Sequence, residues 1–463
     1  MLQAAPMRHS TNSRAHAAAA LGALLAFAAC SSDDGDPGRT TAPAPPPGGA
    51  NDPAYTLVTV PKYLLAGDAL TPDTASFAVT VKPPAGADPT KLHLEGWIDG
   101  TTRVDLGLAT DGTFVGSYED AATLAFGAHT LLLADAASPT AFAQVDFVKG
   151  HAYYVVVSND WDNSYNTPVQ LDLQQALHNN HPHLVLTHLV GPYTFTDPVI
   201  QQSQRDAMVT WVKSMRDQYH DEIGTHIHPY CNFVEAAGVP CATQPSFRDT
   251  VPDTTGYTVE LGAYSYEQWM QMFAKVDELW AAHGFAKPTS FRAGGWTLEL
   301  PVLRALADSG YVADSSAVNW ARMEEWKDNP GASLYQWNMA QWTPIGNTTQ
   351  AYYATDDSIL PGGAGAAIPV LEVTDNGILA DYVLAPEMIE IFHDNWDGGA
   401  LAAPVELSIG YHPPSIDYDD GRGRFFERVD DALTHIDGFL ATDAQGPVVY
   451  ITMSQAATVW PAP

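Results

Sequence analysis

Five short stretches of this 463-residue chain carry side chains whose types and spacing could do chemistry together. Ser158-Asn159-Asp160-Trp161-Asp162 places two carboxylates at i and i+2, and Thr225-His226-Ile227-His228-Pro229 places two imidazoles at the same interval. Residues two apart on a strand share one face, so His226 and His228 can address a single divalent cation, with a carboxylate as third ligand. Of Asp160 and Asp162, one can bind that ion while the other stays free as a base. Phe291-Arg292-Ala293-Gly294-Gly295-Trp296, Asp314-Ser315-Ser316 and Gly410-Tyr411-His412-Pro413 add a guanidinium, a third carboxylate and a further imidazole. A strand-end Asp is often only the cap of the next helix, and that alternative stays open for Asp314. A calcium loop is the rival for the Asp pair, since Asp160, Asp162 and Ser164 match its first three ligand positions. It fails at Tyr165, where a Gly is required, and at Leu171, where a Glu is required.

These residues need a scaffold that brings strand ends together. From residue 150 onward, strand-like runs alternate with amphipathic helical stretches, the pattern of parallel β/α units. The runs are Tyr153–Ser158, Leu184–Leu189, Glu222–His228, Thr289–Ala293, Tyr311–Asp314, Ile368–Val373, Val405–Tyr411 and Val448–Thr452. Between them, helices are predicted over Val199–Tyr219, Tyr266–His283, Leu300–Ser309, Pro386–His393 and Phe425–Leu440. The expected fold class is α/β, a distorted parallel (β/α) barrel of about seven units over residues 150–463. In such barrels the chemistry sits at the C-terminal strand ends, where every stretch named above falls. Asp356-Asp357 lies in a Thr, Ser and Gly-rich stretch with no apolar strand before it and reads as loop. Residues 54–149 show short alternating segments separated by turn signals, Asp99-Gly100 among them. They suit a small antiparallel β-sandwich resembling an immunoglobulin-like module, with no catalytic cluster of its own.

The balance of 21 Lys plus Arg against 54 Asp plus Glu gives a formal charge of −33, which repels phosphate backbones; nucleic acid is excluded as a partner. No Gly-x-Ser-x-Gly elbow, Walker loop or dinucleotide fingerprint occurs. At the N-terminus, Arg8 and Arg14 precede an apolar run from Ala17 to Ala29, which reads as a secretion signal, too short to span a bilayer. Phe27-Ala28-Ala29-Cys30 resembles a bacterial lipoprotein cleavage box, so residues 1–30 are expected to be removed up to an acylated Cys30. Residues 31–53 would follow as a disordered Pro, Gly and Ser-rich linker. The protein is then expected to be exported, lipid-anchored in the bacterial envelope or secreted, with membrane attachment only through that lipid. Cys231 and Cys241, ten residues apart in an exported chain, are expected to form a disulfide that braces the loop after the His pair.

The ordered set from Asp160 to His412 resembles the polysaccharide deacetylase family, also called the NodB-homology or carbohydrate esterase family 4 domain, over about residues 150–460. The resemblance implies a distorted β/α barrel, a divalent metal held by one Asp and two His, with zinc the expected ion, and removal of N-acetyl groups from an amino-sugar polymer. It implies Asp160 as base, Asp162, His226 and His228 as metal ligands, Arg292 as the residue that orients the base, and His412 as general acid. Asp314 would orient His412 or raise its pKa. Two departures mark a divergent His-x-His branch. Trp161 separates the two aspartates, so base and ligand can be exchanged, and Tyr230 stands where the family's second histidine usually lies. Trp161, Trp296 and Tyr411, with Tyr165 and Tyr193 nearby, could stack on sugar rings. The alternatives are a glycan-binding surface lipoprotein without turnover, and a hydrolase of another amide or glycosidic bond.

Overall fold

The computed structural model describes residues 45–48, 51–138, 140–247, 252–326 and 333–462; the expected signal peptide, Cys30 and the linker as far as residue 44 lie outside these. The strand that organises the larger part is β1, Tyr153–Asp160, whose sequence Tyr-Tyr-Val-Val-Val-Ser-Asn-Asp is buried throughout. Burial on both faces is what a parallel strand between barrel interior and helices requires. Six further strands run parallel to it: β2 (Leu186–Val190), β3 (Glu222–Ile227), β4 (Ser290–Ala293), β5 (Ala313–Asp314), β6 (Ala367–Glu372) and β7 (Val405–Tyr411). Their order in the sheet is β7-β1-β2-β3-β4-β5-β6. The gap between β6 and β7 is filled by irregular backbone: Val318 bridges Asp375, Leu379 bridges Gly410, and Gly377 N–H donates to Ser408 O at 2.9 Å. Tyr352–Thr355 adds an antiparallel strand outside β6.

The expected eighth run differs in its place. Val448–Ile451 pairs only with the first half of β1, Tyr153–Val156, and β2 takes over the same edge from Val157 onward. Helices cover the outside where their apolar faces predict. Tyr266–His283 starts at a Ser265/Gln268 capping box, ends at Gly284 in the left-handed region (φ 69°), and buries Trp269, Met272, Phe273, Val276 and Trp280 on one face. Among the described residues no helix is long and apolar enough to cross a membrane.

Residues 56–150 form two further sheets. One joins Thr56–Thr59, Phe77–Lys82, Phe114–Tyr118 and Gly107–Leu108; the other joins Tyr63–Leu65, Ala143–Gly150, Gly127–Asp135, Leu94–Ile98 and Thr102–Asp105. Phe77, Val79, Val81, Phe114, Leu131 and Phe147 share their core. Between the paired residues Ile98 and Thr102, Asp99 and Gly100 both have positive φ, 49° and 66°, and the turn is closed by Thr101 N–H donating to Ile98 O at 3.0 Å. The expected linker ends earlier than residue 53. Pro47 O accepts from Ala141 N–H, and Asp52 N–H donates to Phe142 O at 2.7 Å, so these residues are docked on the sheet.

Only two residues separate Ala143–Gly150 from β1, and the seam is packed. Tyr63 OH donates to His151 O at 2.8 Å and accepts from Leu401 N–H at 3.1 Å, with its ring edge-on to Trp396. Tyr154 OH donates to Asp68 at 2.7 Å. The small sheets therefore sit where β1 begins, and the chemistry-bearing residues lie where it ends.

Candidate metal centre and active site

At the end of β1, strand alternation turns Asp160 inward, Trp161 outward and Asp162 inward again. Both carboxylates line one cavity, together with His226, His228, Trp296 and His412. Trp161 points away and is 1% exposed, its indole N–H bonded to Asn159 Oδ1 at 2.9 Å. The cavity encloses about 630 Å³ of empty space, solvent at its mouth included.

Asp162 Oδ1 lies 3.0 Å from His226 Nε2 and 3.3 Å from His228 Nε2. The opposite nitrogen of each ring faces a backbone carbonyl: His226 Nδ1 is 3.0 Å from Arg292 O, and His228 Nδ1 is 2.6 Å from Tyr257 O. A carbonyl only accepts, so both Nδ1 atoms carry hydrogen, and in the neutral rings both Nε2 lone pairs aim at a carboxylate oxygen. Three electron-pair donors converging in this way suit a cation. The residues therefore fit a divalent ion with one oxygen and two nitrogen ligands. Burial works against the charge on Asp162, yet its carboxyl is held well below the usual range, first of all by the charge on His412. A side chain at Gly294 would place its Cβ 2.6 Å from the His228 ring, so only glycine lets that ring stand where it does.

Asp160 stays outside this set. Arg292, fully buried, donates through Nη1 to its two oxygens at 3.1 and 3.3 Å, and through Nε and Nη2 to Ser315 O and Oγ at 2.7 and 2.8 Å. The other Arg292 terminus is 3.7 Å from Asp375, which accepts from Trp296 Nε1 at 3.0 Å. Burial pushes Asp375 up to about 6 against the pull of Arg292. Across the cavity, His412 Nε2 is 3.6 Å from Asp162 Oδ2, and its Nδ1 is 3.1 Å from Asp381 Oδ2. Burial disfavours the charged ring, yet Asp381 and Asp162 outweigh it and raise His412 to about 10.

The geometry corrects part of the expected set. Asp381, not Asp314, hydrogen-bonds His412. Asp314 is fully buried, accepts from Ser316 Oγ at 2.9 Å, and forms an acid pair with Glu372 whose members are both pushed up by burial. Glu372 Oε1 in turn accepts from the Ser316 and Ala317 N–H groups at 2.8 and 2.7 Å. The pair thus anchors the turn that holds Arg292. Trp161 and Tyr411 (0% exposed) are core residues and cannot stack on a ligand, and the buried Tyr193 hydroxyl is tied to Trp161 O. Trp296 does line the cavity, with Phe247, Tyr257, Leu334 and Tyr382. Cys231 and Cys241 form a disulfide beside it. Asp375, Asp381, Tyr257 and Tyr382 were not among the expected residues; Asp375, two residues past a predicted strand, obeys the strand-end rule and could have been found.

No protein-family model and no curated protein matches this chain. Solved structures similar to it include a family 4 carbohydrate esterase from Streptomyces lividans in complex with acetate (8% identity, 62% of this chain and 88% of that one, TM-score 0.29). The carbohydrate esterase family 4 domain of a multidomain xylanase, from the hindgut metagenome of Trinervitermes trinervoides, is similar at 6% identity over 66% and 90% (TM-score 0.32). A 4-alpha-glucanotransferase from Thermococcus litoralis is similar at 8% identity over 65% and 39% (TM-score 0.35). At these scores the chemistry has to be read from this chain's own residues.

Proposed function

We propose that this chain is a metal-dependent hydrolase that removes N-acetyl groups from an amino-sugar polymer. The observation that carries the reading is the convergence of Asp162 Oδ1 with Nε2 of His226 and His228, in one cavity with an Arg-held carboxylate and a carboxylate-backed imidazole. A divalent ion held by these three residues would supply Lewis acidity to the acyl oxygen and ease deprotonation of water near neutral pH.

The remaining roles belong to the chain. Asp160, aimed by Arg292, takes the proton of the attacking water, whose oxygen bonds to the acyl carbon. His412, held through Nδ1 by Asp381, gives a proton to the amide nitrogen as the carbon–nitrogen bond breaks, so that acetate and a free amine leave. Trp296, Tyr257 and Tyr382 offer aromatic walls of the kind a sugar face and an acetyl methyl can lie against. None of the described residues lining the cavity is Lys or Arg. The chain's formal charge of −33 supports a neutral polymer as substrate and a cationic one as product over an anionic one.

Asp160→Asn is expected to lower acetate release from chitin oligomers by about 10²–10⁴-fold while the bound metal is retained. His226→Ala is expected to lose both. Loss of metal in Asp160→Asn together with retention in Asp162→Asn would reverse the roles of the two aspartates.

A further inference from the structure

Tyr257, one of the aromatic walls of the cavity, also engages the metal set directly. It belongs to neither barrel strand nor helix, and it touches two of the three ligands in three ways. Its hydroxyl donates to Asp162 Oδ2 at 2.8 Å, its carbonyl accepts from His228 Nδ1 at 2.6 Å, and its ring stacks on the His228 ring at 4.3 Å between centroids. Asp162 Oδ1 is the oxygen that faces both histidines. The Tyr257 hydroxyl thus occupies the other oxygen of the same carboxylate.

The turn that presents Tyr257 is built to hold still. Asp253 Oδ1 accepts from the Thr255 N–H and hydroxyl at 2.8 and 2.7 Å, and its Oδ2 accepts from the Thr258 N–H and hydroxyl at 2.7 and 2.8 Å. Thr255 O accepts from Cys231 N–H at 2.9 Å, tying the turn to the disulfide-bonded residue that follows His228-Pro229-Tyr230. Gly256, at φ 84°, lies so close to Pro229 that a Cβ there would be 2.2 Å from its carbonyl oxygen. One short segment is thereby clamped against the strand end that carries both histidine ligands.

We infer that Tyr257 is a positioning residue for the metal centre: its hydroxyl engages Asp162 Oδ2, so that Asp162 offers the ion one oxygen only, while its carbonyl fixes the donor nitrogen of His228. This rests on the proposed metal site and adds what sets its ligand number. Outer partners of this kind typically change metal affinity by about 10–100-fold when removed. Tyr257→Phe keeps the ring and the carbonyl and deletes only the hydroxyl. Asp162 Oδ2 would then face only His412 Nε2, at 3.6 Å, and would be available to the ion, raising the ligand count.

The test is competition titration of zinc against a chromophoric chelator, with visible absorption of the cobalt-substituted protein, on wild type and Tyr257→Phe. The expected result is a zinc affinity changed by about tenfold or more and cobalt bands weakened as the ligand number rises. Asp253→Asn, which leaves Tyr257 in place but loosens its turn, is expected to shift both in the same direction by less. Equal affinity and identical cobalt spectra in all three proteins would overturn the assignment of Tyr257. A wild type that binds neither zinc nor cobalt would instead overturn the metal site itself.

Discussion

At the scale of single residues, what distinguishes this site is that each reactive group is held by a second group on a different element. Asp160 is held by Arg292, and Arg292 by the Ser315 turn; His412 is held by Asp381. Asp381→Asn keeps the shape but loses the charge opposite His412 Nδ1. It is expected to lower kcat by about 10²-fold, with bound metal and KM little changed; a loss of metal instead would place Asp381 in the metal's support. Most of the reactive set was legible because i, i+2 spacing at a strand end is a periodic signal. The same alternation that turns Asp160 and Asp162 inward should have excluded Trp161, and Asn159, its partner on the outward face, bonds Tyr411 as well. Asp381 and Tyr257 left no such signal, since they come from irregular backbone that only the folded chain brings to the site.

At the scale of elements, strand runs were readable where β-branched residues cluster, as in Val155-Val156-Val157 of β1, and less so where a strand is short. β5 keeps only Ala313–Asp314 in the sheet, because Ser315 and Ser316 leave it to bind Arg292 and the Ala293 N–H. One helix junction carries a pH dependence. His181 ends the helix Pro168–Asn180 and meets Asp437 and Asp430 of the helix Phe425–Asp437 at 2.7 and 3.2 Å. Burial opposes its charge, but the two carboxylates outweigh burial and raise its pKa above 6.5. A raised folded value means that the contribution is complete below pH 6.5 and fades as pH climbs through the folded pKa. His181→Gln is therefore expected to lower the unfolding midpoint more at pH 6 than at pH 9. An equal loss at both values would show that the ring acts by packing alone.

At the scale of the whole molecule, the small sheets and the barrel share a packed seam at the end of β1 away from the metal residues. Tyr63 is 2% exposed there and joins His151, Leu401 and Trp396. Replacing a buried aromatic by alanine costs about 3–5 kcal/mol, so Tyr63→Ala is expected to split one unfolding transition into two, with acetate release retained below the first. A single shifted transition would mean that the two parts are coupled through other contacts. The change from alternating short strands to β/α repeats near residue 150 is a signal of the sequence, while the seam left none, since Tyr63 and Trp396 are far apart in sequence. None of the described residues lining the cavity is Lys or Arg, and the cation that faces it is His412. Metal-dependent deacetylation is tested by acetate release from N-acetylglucosamine oligomers, measured before chelation, after chelation and after zinc is restored. The expected result is release that is lost on chelation and regained with zinc, with the sugar chains unshortened. Zinc bound stoichiometrically without any acetate release, or release indifferent to chelation, would contradict it.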